Sequence, residues 1–383
     1  MLGAAMKHMT AGELRGASLV AIVDDVPAGL RLQANSIEAD LGRWARGCSC
    51  GEVRSVDRVA VLSGISAEGR TTGAPLTLAI DNAAYAASLS EEAPGQASIP
   101  RPGSADLCGL LVADADDCRA VSEGSSARAE ATLVAASSVA REFLADFGIE
   151  IHSYVTRVGD AAMREAAADF EGFSYSPLEI ETSRMRCPSP QATRAMEEEV
   201  AAARAAGDTL GGQVAVVVTG VAAGMGGFRE ANMAARLSRA AYCAQGVTGV
   251  SFGDAREVSR RRGSAAHDVI ALGEGGFGRA SNLAGGIEGG FTTGMPIVMR
   301  AEVAPSPALQ TPVDSIDLET LAKAESSSID YSPCLVGGVA VAIEANIAFE
   351  LASAYQEKFG GAAMSDIHAA FDAYTRRLRL AAR

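Results

Sequence analysis

Between Asn282 and Gly294 the chain reads Asn-Leu-Ala-Gly-Gly-Ile-Glu-Gly-Gly-Phe-Thr-Thr-Gly, so two Gly-Gly pairs, Gly285-Gly286 and Gly289-Gly290, fall four apart behind an asparagine. Glycine is used where backbone must pass through positive φ or where another group must come close to it. One such pair is a tight turn between strands. Two pairs in this register, with Asn282 ahead and Thr292-Thr293 behind, are better explained by backbone approaching a flat ligand. A neighbouring stretch, Gly273-Glu274-Gly275-Gly276-Phe277-Gly278, satisfies the spacing of dinucleotide sites, but that mechanism needs a helix N-terminus after the glycines. More glycine follows instead, so this stretch is expected to be a loop.

The 383 residues are enough to bury about three quarters of the unfolded surface. A net charge of −14 opposes non-specific attraction to nucleic acid or anionic lipid, and an aromatic content of 5% leaves little for base stacking. The run Arg260-Arg261-Arg262 is the local exception and is expected to be a solvated loop. Seven cysteines in no framework spacing, without a secretory leader, point to a reducing cytoplasm. No uninterrupted run of 18 apolar residues suggests a membrane span, and four scattered histidines offer no metal site.

Apolar spacing of three to four predicts helices over 131–147, 190–207 and 338–359, closed by Gly148, Gly207 and Gly360. Clustered β-branched residues predict strands over 19–23, 60–63, 76–80, 214–221 and 297–303. Val214-Ala-Val-Val-Val218 is apolar on both faces, which predicts a strand covered on both sides, within the fold or at a subunit contact. Without an internal repeat or a long linker, one domain over 1–383 is expected, with a helical tail over 361–383. Residues 90–104 are the most loop-like stretch.

Five further pieces stand in fixed order around the glycine segment: Thr10-Ala-Gly12-Glu13 with Asp25-Val-Pro27-Ala-Gly29; Ser63-Gly64; Arg70-Thr71-Thr72-Gly73-Ala74-Pro75; Arg101-Pro102-Gly103-Ser104-Ala105-Asp106; and Ser125-Ser126-Ala127-Arg128. Together they resemble the chorismate synthase family, over 10–360. The resemblance implies an α+β fold, a β-α-β sandwich with helices between two four-stranded antiparallel layers, assembled as a homotetramer. It implies phosphate elimination from 5-enolpyruvylshikimate 3-phosphate with reduced FMN, which lends an electron and recovers it. It also implies Asp330 as a catalytic residue, Arg43, Arg46, Arg101 and Arg128 as substrate ligands, and Ser125, Ser126, Gln245, Gly246, Asn282, Gly289 and Ser306 at the cofactor.

The chemistry-bearing positions depart from the family. Its first motif, Gly-Glu-Ser-His-Gly, is Gly12-Glu13-Leu14-Arg15-Gly16 here, and the histidine after Arg-Pro-Gly is Ser104. Neither arginine nor serine exchanges a proton near neutral pH as imidazole does. Trp44 and Cys50 stand where the family has arginine, and Val112, Gly124, Thr248, Ala304 and Ser328 where it has Lys, Arg, Lys, Lys and Arg. Both of the family's ligands are polyanions, and burying them without paired cations costs several kcal/mol per charge, on the order of the penalty for any buried ion. Trp44, the only tryptophan, plugs the emptied pocket or stacks on a flatter, less charged ligand. Three functions stay open: the family reaction with Asp330 and Arg15 in altered roles, a catalytically degenerate paralogue serving as a binding or regulatory partner, and an enzyme with a less anionic ligand.

Overall fold

A computed structural model describes residues 5–51, 57–82, 85, 98–163, 174–273, 276–326, 328 and 331–380. The strands Lys7–Ala11, Ser18–Asp24, Leu76–Asp81 and Val59–Ser63 form one antiparallel sheet in that spatial order. Alternation sets its inner face: Leu19, Ala21 and Val23 on one strand, and Leu76, Leu78 and Ile80 on the next, are fully buried. The second sheet runs Ala161–Ala162, Glu150–Val158, Gly212–Thr219, Ile297–Val303, Val247–Phe252, all antiparallel. It therefore has five strands where four are expected, because the chain folds back at Gly159 and adds a two-residue edge.

Helices fill the space between the sheets. Ala34–Cys48 and Glu130–Ala145 lie under the first sheet, Met233–Tyr242 lies beside the second, and Val336–Phe359 runs through the middle. The middle helix is apolar on every side, and such a helix must be covered all round. By length and composition it would suffice to cross a membrane, but 94% of its apolar window is buried within the protein, and Glu344 and Glu350 interrupt it. At its start Gly337 and Gly338 lie against Gly47 and Cys48, backbone on backbone; a Cβ on Gly47 would collide with the Gly337 carbonyl.

The predicted helices are observed as Glu130–Ala145, Pro190–Ala206 and Val336–Phe359, with Gly148, Gly207 and Gly360 at positive φ after them. Ser189 caps its helix by accepting from Ala192 N at 3.3 Å. A further helix, Met364–Leu380, occupies the tail. The doubly apolar strand is covered on both sides within the chain. Val214, Val216 and Val218 face the main core, while Ala215 and Val217 pack with Tyr154 of the neighbouring strand and with Ile180 of helix Pro177–Thr182. No subunit contact is needed to explain it. The glycine stretch expected to be a loop is a β-hairpin, Ile270–Gly273 against Gly276–Arg279; no helix follows it, and residues 274–275 lie outside the described set. Of the 90–104 stretch, only residues from 98 onward are described.

Candidate functional site

Helix Ala34–Cys48 buries Ile37, Leu41 and Trp44, spaced four and three apart, so the indole is held on the inward face. The guanidinium of Arg128 lies 6.0 Å from the Trp44 ring centroid. Arg128 sits on a short 3-10 turn whose first hydroxyl, Ser126 Oγ, accepts from Arg128 N at 3.2 Å. Its terminal nitrogens donate to Asp57 at 2.6 and 2.9 Å, and its Nε donates to Asn82 Oδ1 at 3.2 Å. The amide nitrogen of Asn82 in turn donates to the carbonyls of Glu13, Leu14 and Gly16 at 3.3, 3.0 and 2.7 Å. Those bonds hold the loop that presents Arg15. Arg15 is drawn to Glu123, which accepts its backbone N–H at 2.8 Å and pairs with its guanidinium.

Ser104, at the second histidine position, closes a turn. Its hydroxyl donates to Arg101 O at 2.8 Å and accepts from Asp106 N at 3.1 Å. Arg101 forks onto Asp106 through Nε and a terminal nitrogen, each at 2.8 Å. Burial pushes the Asp106 carboxyl up, yet the bonds from Arg101 outweigh it and leave the pKa below the usual range. Arg101 and Ser104 thus share one motif at the start of helix Asp106–Ala113.

The expected cofactor residues fall into two groups. In the first, Gln245 Nε2 donates to Ser125 O, and Glu130 Oε1 accepts Gln245 N at 2.6 Å. Gly246 O accepts Ala304 N at 2.7 Å, and Ser306 Oγ accepts Ala308 N at 3.3 Å while its carbonyl takes the hydroxyl of Thr209. Glu130 is 4% exposed, and burial pushes its pKa up to about 7 against the N–H of Gln245 and the indole of Trp44, both of which pull it down. Trp44 Nε1 itself is buried without a well-formed hydrogen bond; the group it reaches is this carboxylate.

The second group is the glycine loop. Asn282 is buried and acts as a staple, donating to Pro296 O at 2.8 Å and accepting Gly286 N at 2.7 Å. Asp268 accepts from Leu283 N and Ala284 N at 2.7 and 2.9 Å and from the Ser281 hydroxyl; burial raises its pKa, and these bonds bring it below the usual range. Gly285, Gly286 and Gly290 all take positive φ with neighbouring backbone packed where a side chain would stand, whereas Gly289 faces open space. The loop meets Val298, and Gly246 meets Ala304. At about 3.3 Å per residue these contacts lie roughly 20 Å apart along the strand. The two groups therefore meet different ends of strand Ile297–Val303.

Arg43 and Arg46 also depart from the expected site. Arg43 donates to Asp40, Glu181 and Glu344 at 2.9, 2.8 and 2.9 Å, and Arg46 approaches Glu181 at 3.8 Å, in a separate ionic network. Asp330 lies outside the described residues. Arg260 and Arg261 are exposed and paired with Glu257 and Asp254, as a solvated loop requires. The carboxylates that neutralise the expected ligands, Asp57, Glu123, Glu181 and Glu344, carry no motif of their own. Glu130 had one available signal, an acid among the small residues just after Ser125-Ser126-Ala127-Arg128.

Two antiparallel sheets enclosing helices, with a self-stapled glycine loop at one strand end, define the helix-filled sandwich class. A family model described as Chorismate synthase matches residues 6–356. Chorismate synthase of Rubrobacter xylanophilus is 39% identical over 385 residues, covering 98% of this chain and 97% of the relative. That of Desulforudis audaxviator is 38% identical over 387 residues, covering 98% of each. A crystal structure of chorismate synthase superposes with a TM-score of 0.80 at 30% identity, covering 98% of both chains. The chain belongs to the chorismate synthase family.

Proposed function

We propose that this chain keeps the family scaffold without the family's normal activity and acts as a binding or regulatory partner. The observation that carries this is the pairing of the arginines expected at the substrate. Arg15 is held by Glu123, Arg101 by Asp106 and Arg128 by Asp57. A polyanionic substrate would have to displace those carboxylates, and separating a buried pair costs about 3–5 kcal/mol. Proton transfer fares no better, since Arg15 and Ser104 do not titrate near pH 7.

Reduced FMN would supply an electron to the elimination if bound. The residues present fit it poorly, because the Asn282 amide and the Ser306 hydroxyl are turned to the backbone. The family's oligomeric habit supports a homotetramer here. The seven free cysteines support a cytoplasmic location. A less anionic ligand is the second function supported, by the buried indole of Trp44 where the family has an arginine.

The test is anaerobic titration with oxidised and reduced FMN, with and without 5-enolpyruvylshikimate 3-phosphate, followed by flavin absorbance and Trp44 fluorescence. No saturable binding at high micromolar flavin is expected. Tight binding that sharpens with the substrate, followed by chorismate formation, would overturn the proposal.

A further inference from the structure

Cys48-Ser49-Cys50 is the one close pair of cysteines in the chain, and the fold sets a third cysteine beside it. Cys48 ends helix Ala34–Cys48, Cys50 follows in the turn, and Cys334 stands two residues ahead of helix Val336–Phe359. The two segments are in close contact: a Cβ on Gly338 would strike the Cys48 sulfur, and Ser332 Oγ donates to Cys48 O at 3.0 Å.

Cys50 and Cys334 meet through their side chains. The Cys50 thiol donates to Cys334 O at 3.3 Å, and the Cys334 thiol donates in turn to the Cys50 sulfur. Cys50 takes a φ of 53°, a left-handed conformation that glycine adopts at less cost, and Gly51 N donates to Arg46 O at 2.9 Å to close the turn. A side chain kept where glycine would be easier is kept for what it touches.

The surroundings give the two sulfurs different parts. The bond to Cys50, then burial, then the charges of Cys50 and Cys48 push the Cys334 thiol well above the usual range, against a weaker pull from Val336 N–H. Cys334 therefore keeps its proton. Cys50 is 6% exposed against 1% for Cys334, so it is the sulfur that an oxidant meets first. The next residue, Gly51, lines a cleft of about 50 Å³. One water needs roughly 10–15 Å³ on this measure, so hydrogen peroxide fits there and glutathione disulfide does not. The positive end of helix Val336–Phe359 lies at the pair and favours the negative charge that sulfur carries during attack.

We propose that Cys50 and Cys334 form a reversible disulfide that locks the end of helix Ala34–Cys48 to the start of helix Val336–Phe359 when a hydroperoxide is present. The Cys50 sulfur attacks one peroxide oxygen and the O–O bond breaks; the thiol proton leaves with the other oxygen as water, and Cys50 becomes a sulfenic acid. Cys334 then attacks the Cys50 sulfur, the S–O bond breaks, and the Cys334 proton leaves with the hydroxide as a second water. Two thiols are oxidised and one peroxide is reduced. A dithiol reverses the bond by exchange. The pair takes no part in the function proposed above.

The test treats the reduced, full-length chain with hydrogen peroxide, quenches with catalase, alkylates in urea and maps the peptides by mass. Alkylated thiols are expected to fall by two from the seven present, with one cross-link joining Cys50 to Cys334 and dithiothreitol restoring both. The oxidised chain should melt about 5 °C higher, because the bond ties residues 284 apart. Cys334→Ser should stop at a Cys50 sulfenic acid that dimedone traps, whereas Cys108→Ser with Cys243→Ser, which removes the exposed thiols, should still form the bond. No cross-link, a cross-link through Cys48, an unchanged melt on oxidation, or no dimedone on Cys50 in the Cys334→Ser chain would overturn the proposal.

Discussion

Arg128 donates from both terminal nitrogens to Asp57, at 2.6 and 2.9 Å, with both side chains almost fully covered. A guanidinium so held is structural before it is anything else. Asp57→Ala leaves that charge uncompensated and is expected to lower stability by about 3–5 kcal/mol, measured as a shift in the urea midpoint. A loss below about 0.5 kcal/mol, the range of ordinary surface substitutions, would show that solvent rather than Asp57 balances Arg128.

Arg15→His with Ser104→His restores both imidazoles of the family motif. No chorismate is expected from this double variant in an anaerobic assay with reduced FMN, because Asp106 and Asp57 still occupy Arg101 and Arg128. Measurable turnover would show that the proton donors alone were missing.

Glu130 binds its proton more tightly in the folded chain, with a pKa of about 7 against the ordinary 4.5 of a glutamate. Its contribution is fully present below the unfolded pKa and is lost as pH rises through about 7, because in that window the unfolded chain has already released the proton. At about 1.4 kcal/mol per pKa unit the loss is on the order of a few kcal/mol. Glu130→Gln is expected to flatten this part of the stability curve, read from urea melts at pH 5 and pH 8. An unchanged slope would place the titration elsewhere.

Gly289 and Gly290 are adjacent and both at positive φ, at 58° and 91°, but they differ in surroundings. Gly289→Ala meets nothing and should cost only the left-handed backbone, about 1–2 kcal/mol. Gly290→Ala would drive its methyl into the carbonyl of Gly227 and the Asn232 side chain, so it should cost clearly more. Thermal melts of the two variants compare them directly, and equal losses would show that the loop yields.

Three core helices and five strands were legible because their signals are local, whereas Ala34–Cys48, Met233–Tyr242, Lys7–Ala11, Glu150–Val158 and Val247–Phe252 were not read. Period, β-branching and the terminating glycines at 148, 207 and 360 all act within a few residues. The five-stranded second sheet was not, since its extra edge depends on two alanines with little strand preference. The state of the site was not legible either. Arg15 meets its acid 108 residues away, Arg128 meets its own 71 away, and Arg43 meets Glu344 301 away. Only the folded chain brings such partners together.

The bonds that Asp268 and Asn282 make inside the glycine loop are owed to no ligand. A chain that had stopped meeting flavin altogether would still be obliged to preserve Gly285, Gly286 and Gly290, on pain of failing to fold. Inheritance of that segment therefore records an architectural debt, and a lineage can carry the signature of a cofactor long after the cofactor has ceased to be its guest.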